Sequence, residues 1–415
     1  MKKKLLALSL CLVMVVAAVC VLVACDKDKD YDYEITVWVG EGMKDLTIQQ
    51  INAFNETNQF GIKFKATVEI QSEKSSIGNM EGKPASSWPD IFCFAQDQLA
   101  RAVKGKMLQK LSGSIVTQIE ENNSDETIDA AKIGDTVCAF PMTADNGYFM
   151  YYDKRVVSEE HKGSLEAIIS DVEAYTDASG LGRRISMNLT KAGGGWYAAS
   201  FFYATGCKSE WVTNEDGYFT DFADTFKSDE GVIALQGMQK LLKSSVHWDS
   251  DSTADFNAGV PSAVVISGIW DYNTALNALG DNLGIAPLPK FTVGETSYQL
   301  QSYLGHKFMG VKPQSDAHRA AYLQQLAAYL TNADCQRARF ELSGWGPANK
   351  TLTNLTSPAL ASLKQTATVM QGQYPDSWWS DVLLMTGNAK DASSDAATLM
   401  GLLTTYNTGL SNYVK

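Results

Sequence analysis

Ile62-Lys63-Phe64-Lys65-Ala66-Thr67-Val68-Glu69-Ile70 alternates apolar and polar side chains without a slip. A period of two is that of a strand with one face on a core. Upstream, Glu34-Ile35-Thr36-Val37-Trp38-Val39 alternates in the same way until Gly40 and Gly42 break it. Asp45 or Thr47 can then cap a helix that carries Leu46, Ile48, Ile51 and Phe54. Downstream, Ile91-Phe92-Cys93-Phe94 is a short unbroken apolar run after Pro89, suited to a strand covered on both faces. A helical pattern follows through Leu99, Val103 and Met107, closing near Gly105. Strand, helix, strand, strand, helix is the rhythm of an α/β lobe.

A second such set begins near Phe140. Strands are expected over Phe149–Tyr152, Ile185–Asn188, Ala263–Ile266 and Leu283–Ala286. Helices are expected over Leu165–Tyr175 and, after Gly193-Gly194-Gly195, over Trp196–Ala204. From Ala317 onward the pattern is helical: Ala320–Leu330, Asp334–Leu342, Leu360–Met370 and Ala396–Tyr413. No internal repeat is visible. The expected architecture is two α/β lobes that share the late helices.

Ahead of all this stand Lys2, Lys3 and Lys4, an apolar run from Leu5 to Val23, and Leu22-Val23-Ala24-Cys25 followed at once by Asp26-Lys27-Asp28-Lys29-Asp30. A basic start, an apolar stretch and small residues at the exit describe a secretory signal. The Cys after Leu-Val-Ala resembles the lipobox of bacterial lipoproteins, which implies a diacylated Cys25 as first mature residue. The alternative is an uncleaved anchor, since the run approaches the ~20 residues that span a bilayer. Either way residues 1–24 address the chain to the outer face of the cytoplasmic membrane, and 25–33 form a polar tether. Two acyl chains hold a protein firmly where one holds it marginally, and retention of this kind suits a Gram-positive-type envelope.

Without Lys2–Lys4, 32 basic residues face 47 acidic ones, a net charge of −15. That field repels nucleic acid, and no Lys/Arg cluster interrupts it. Cys93, Cys138, Cys207 and Cys335 lack metal-knuckle spacing; the first three sit beside aromatic or small apolar neighbours and fit small buried hydrophobes, though the disulfide state of all four is open. No metal or cofactor is called for. G-x-x-x-x-G-K-[ST], H-E-x-x-H and G-x-S-x-G are all missing, and the four histidines are scattered.

Several stretches in order resemble the maltose-binding-protein-like family, the extracellular sugar-binding components of ABC importers. They are Ile35–Val39; Pro89-Asp90-Ile91 with Phe94 and Asp97; Ala139–Asp145 followed by Tyr151-Tyr152-Asp153; Asp255–Gly259 with Ser267-Gly268-Ile269-Trp270; Gly344–Asn349; and Trp378-Trp379. The resemblance implies a two-lobed periplasmic-binding-protein-like fold with a hinge and a central cleft. It places 34–143 and 306–358 in the N-terminal lobe, 144–305 and 359–415 in the C-terminal lobe, and hinge segments near Thr143-Ala144, Tyr303–Gly305 and Pro358.

Carried over by position, Phe94, Trp196, Trp270 and Trp379 resemble the family's stacking aromatics. Asp97 and Asp145 resemble its hydroxyl acceptors, with Glu41 and Lys44 in the first strand-to-helix loop. Gln98 stands where the maltose binder has arginine, and Asp145 is one methylene shorter than its glutamate. The residue types suit the chemistry, because a pyranose has an apolar C–H face for rings and a hydroxyl rim for carboxylates. Glycine beside Trp196, Trp270 and Trp345 lets a ring be presented freely. Trp38 and Trp248 read as core fillers instead; Trp378 competes with Trp379 for the contact, and Lys307 and His306 carry no assignment. The resemblance thus implies a monomeric, lipid-anchored, non-enzymatic binder that passes an oligosaccharide of maltose or maltodextrin type to a membrane permease. The alternative is a secreted glycoside hydrolase, which needs only two carboxylates.

Overall fold

In the computed structural model, which describes residues 31–415, the first strand β1 (Tyr33–Val39) leads through Gly40–Gly42 into α1 (Lys44–Thr57). The signal, Cys25 and most of the tether lie outside the described residues. The chain continues as β2 (Phe64–Ile70), β3 (Ile91–Ala95), α2 (Leu99–Lys104) and β4 (Phe140–Thr143). Then come β5 (Phe149–Asp153), β6 (Arg184–Ser186), α3 (Gly194–Ala204), β7 (His247–Trp248), β8 (Ser262–Ser267) and β9 (Leu283–Ala286). The return runs through β10 (Ser302–Leu304), β11 (Lys307–Val311), α4 (Ala317–Leu330) and α5 (Ala333–Ser343). It ends in α6 (Pro358–Thr366), β12 (Ala367–Met370), α7 (Trp378–Asp391) and α8 (Ala396–Leu410).

These strands build two five-stranded mixed sheets, in the orders β2-β1-β3-β11-β4 and β7-β6-β8-β5-β9. The alternating stretch that opened the sequence pairs parallel to β1 with Val37 opposite Val68, and its inward residues Phe64 and Val68 are buried. β3, flanked by β1 and β11, is buried at all five positions, as its unbroken apolar run requires. Two apolar clusters form: one holds Val37, Phe92 and Leu326 of the first half and runs on to Tyr151 and Val265 of the second sheet, and the other holds Phe201, Leu235 and Trp378. The expected two-lobed α/β architecture is the observed one. Among the described residues no helix is long and apolar enough to cross a membrane.

Local expectations fail where tertiary context decides. Neither Asp45 nor Thr47 caps α1; the cap is Met43, with no side-chain hydrogen bond. The helix expected over Leu360–Met370 stops at Thr366, because Ala367–Met370 pairs parallel with β10 as β12. The last helix ends at Leu410, and Ser411–Tyr413 tightens into one 3-10 turn. Hairpins at Ser209–Asp224 and Lys290–Gln299 were not legible.

The chain passes between the sheets twice and leaves the first once more for the helices α6 and α7, and these passages are bonded to one another. Ala144 N–H donates to Gly346 O (2.9 Å), and Asn146 N–H donates to Gly305 O (3.0 Å). The Asn146 amide donates to Gln371 Oε1 (3.0 Å), and Tyr148 N–H donates to Ser302 Oγ (2.7 Å). A Cβ on Gly147 would lie 2.1 Å from Tyr303 O, and one on Gly305 1.9 Å from Gln371 Oε1. Only glycine permits that approach.

Candidate ligand-binding site

Asp97 lies in the single 3-10 turn that follows β3, and Trp379 begins α7 on the other side of the junction. The indole Nε1–H of Trp379 donates to Asp97 Oδ2 at 3.0 Å. Burial pushes the Asp97 carboxyl above its ordinary value, against that hydrogen bond, which pulls it down. A second contact joins the same segments, where Arg101 Nε meets Asp376 Oδ2 at 3.0 Å. Trp378 is no competitor for the site: it is fully buried, stacked on Tyr374 and donating Nε1–H to Tyr406 Oη at 2.8 Å.

Trp196 stands in the first turn of α3, after Gly193 in the left-handed region (φ 86°). Its ring lies parallel to Tyr303 at 6.0 Å and 6.0 Å from Trp270. Its Nε1–H is buried without a hydrogen-bond partner. Trp270, in a one-turn segment after β8, is 36 % exposed. A Cβ on Gly268 would sit 2.1 Å from the Trp270 ring, so that glycine lets the indole fold back over its own chain.

Trp345, just past α5, is buried, and the Lys307 ammonium stands 4.3 Å from its ring centroid. Asp145 is fully buried and accepts from Gly346 N–H at 2.7 Å. Burial raises its carboxyl, with the Lys307 charge the main opposing influence. Asp145, Trp345, Lys307 and Trp270 are thereby gathered at the passages, with Trp196, Tyr303, Trp379 and Asp97 continuing the line.

Other sequence candidates fall elsewhere. Phe94 is fully enclosed between Phe92 (5.8 Å) and Phe308 (5.9 Å) and offers no ring face to a ligand, because β3 is covered on both sides. Glu41 and Lys44 are exposed at the turn after β1, apart from the aromatic line. The polar group that faces this turn is Glu73, whose Oε1 would meet a Cβ on Gly40 at 2.2 Å and has no hydrogen-bond partner. The Gln98 amide is spent on the backbone carbonyls of Glu73 and Lys74, so it braces a loop. Trp248 is not a core filler: it is 39 % exposed, with the Arg184 guanidinium 4.2 Å from its ring centroid.

His306 is structural, its ring nitrogens 3.0 Å from Gln96 Oε1 and 3.2 Å from Thr127 Oγ1, and burial lowers its pKa to about 4. Sequence reasoning missed Tyr303 and Lys307 as members of the site. Both flank Gly305-His306 in a segment already expected at the hinge. Among the described residues all four cysteines are unpaired and no group of acidic, His and Cys side chains could hold a metal.

The family model of the bacterial extracellular solute-binding proteins matches residues 49–393. The galactooligosaccharide-binding protein of Bacillus subtilis (strain 168) is 23 % identical over 337 residues, 77 % of this chain and 74 % of that protein. Among solved structures, the maltodextrin-binding protein MalE1 from L. casei BL23 without ligand superposes with a TM-score of 0.75 at 17 % identity, over 92 % of this chain and 100 % of that one. A cyclo/maltodextrin-binding protein complexed with maltotetraose gives 0.66 at 18 % identity, over 93 % and 98 %. The family and its relatives are binding proteins, so the glycoside hydrolase alternative falls. The chain belongs to the bacterial extracellular solute-binding protein family.

Proposed function

We propose that this chain is the substrate-binding lipoprotein of an ABC sugar importer, anchored through Cys25, which captures an oligosaccharide between its lobes and delivers it to a membrane permease. The observation that carries this is the line of aromatic side chains running from Trp345 through Trp270 and Trp196 to Trp379, with the carboxylates Asp145 and Asp97 among them. Rings cover the C–H face of a pyranose, and carboxylates accept from its hydroxyls. The line draws on both sheets and runs beside the passages between them. The proposed lobes are 34–143 with 306–358, and 144–305 with 359–415; the strands of 33–143 and 307–311 in one sheet and those of 149–286 in the other support the division up to that point.

A glucan of maltose or maltodextrin type is supported by the binding of maltotetraose to a structural neighbour. A galactooligosaccharide is supported by the curated relative's name. Calorimetry of the mature chain against α-glucans, galactosides, fructans and xylans decides between them. The expected outcome is saturable binding of one oligosaccharide class with unchanged substrate afterwards; a flat response across all four would overturn sugar binding.

A further inference from the structure

Lys307 opens β11, where its backbone lies opposite Ala95 of β3 and Thr143 of β4. It is 3 % exposed. Its ammonium stands between two indoles from opposite sides of the junction, 4.3 Å from the centroid of Trp345 and 4.9 Å from that of Trp270. Among the described residues, Nζ makes no hydrogen bond or ion pair to any protein oxygen. Its charge acts on the buried Asp145, whose Oδ2 is already engaged by Gly346 N–H.

An ammonium carries three donors and no acceptor. Two ring faces hold its charge, but ring faces do not satisfy directed N–H donors, which stay available to an oxygen acceptor. Something with oxygen acceptors is therefore expected to meet it. The partially exposed face of Trp270 is where a pyranose would stack, and the rim of that pyranose is a row of hydroxyl oxygens.

We propose that Lys307 is a ligand-contacting residue that donates to a ring hydroxyl of the sugar stacked on Trp270, while its stem stays on Trp345. This rests on the proposed sugar-binding function and adds a specificity determinant to it. The pair of Lys307 as donor and Asp145 as acceptor then selects a sugar with hydroxyls on the edge that faces β11.

The test is a cycle between protein and ligand. Parent protein and Lys307→Met are titrated with maltotriose, β-1,4-galactotriose and the monodeoxy analogues of whichever binds. Methionine keeps an unbranched stem on the indoles and removes the donors. Lys307→Met is expected to lose tenfold or more in affinity, and Lys307→Arg to lose less. One monodeoxy analogue should bind the parent at least fivefold more weakly yet bind Lys307→Met as well as the full sugar does. Equal losses for every analogue in both proteins would make Lys307 a purely structural clip and overturn the inference. Should Lys307→Met fail to fold, Lys307→Gln enters the same cycle. No binding of either trisaccharide or of the wider sugar panel to the parent overturns the sugar-binding function itself; parent binding without coupling overturns only the role of Lys307.

Discussion

Trp270 and Trp378 are the same residue type, each set beside a turn, and their surroundings divide them. Trp270 is 36 % exposed, while Trp378 is fully buried with its N–H on Tyr406. Trp270→Ala is therefore expected to weaken sugar binding by roughly 1–3 kcal/mol and leave the unfolding temperature nearly unchanged. Trp378→Ala is expected to cost about 3–5 kcal/mol of stability; calorimetry and thermal unfolding on the two variants separate the effects. His306 gives a pH test. Its folded pKa of about 4 lies below the ordinary value of 6.5, so between those values the unfolded chain binds the extra proton. Stability contributed by neutral His306 is present above pH 6.5 and is lost as pH falls, with a slope on the order of 1 kcal/mol per pH unit. His306→Gln should flatten that part of the profile in denaturant titrations at pH 7 and pH 5; parallel profiles would refute it. Phe94 shows how sequence position misleads: an aromatic at the end of a strand resembles a stacking residue, but only the covering of β3 by its neighbours decides that it is core.

At the scale of elements, the triple glycine that opens α3 was legible as a feature and misread in its reason. Freedom for the Trp196 ring is one consequence; the tighter demand comes from α7, since a Cβ on Gly195 would lie 2.1 Å from Trp379 O. Gly195→Val should therefore push α3 and α7 apart, destabilising by about 1–3 kcal/mol and weakening sugar binding together, whereas Gly193→Asn should cost less, because asparagine is among the few side chains that adopt a left-handed φ such as the 86° found there and nothing crowds its Cβ. Far-UV circular dichroism with thermal unfolding and calorimetry on both variants checks this. Elements with an internal period were readable: β2, β3, β9 and α3 fall within a residue or two of their expected bounds. β12 was not, because Thr366-Ala367-Thr368-Val369-Met370 continues a helical pattern and becomes a strand only where β10 offers it a partner. Site residues contributed by such partner-dependent passages, Tyr303 and Lys307, were missed for the same physical reason.

At the scale of the whole molecule, the lobes meet at Trp379–Asp97 and Arg101–Asp376 on one side and at Lys307 between two indoles on the other. A bound oligosaccharide would bury the rings of Trp270, Trp196 and Trp379 further, so tryptophan emission should shift on titration with sugar, and small-angle scattering should give a radius of gyration no larger than in the sugar-free state. An increase would contradict closure around the ligand. The hydrogen bonds that lace the passages together, Ala144 to Gly346, Asn146 to Gly305 and Asn146 to Gln371, have a mechanical consequence. Three separate strands could each bend by their own amount, and the lobes would then wobble through many poses. Strands bonded sideways and packed through Gly147 and Gly305 must turn as one leaf, which leaves the molecule a single angle to vary. Under the proposed function, what a permease would read is that angle, and the identity of the sugar would reach it only as the value at which the angle comes to rest.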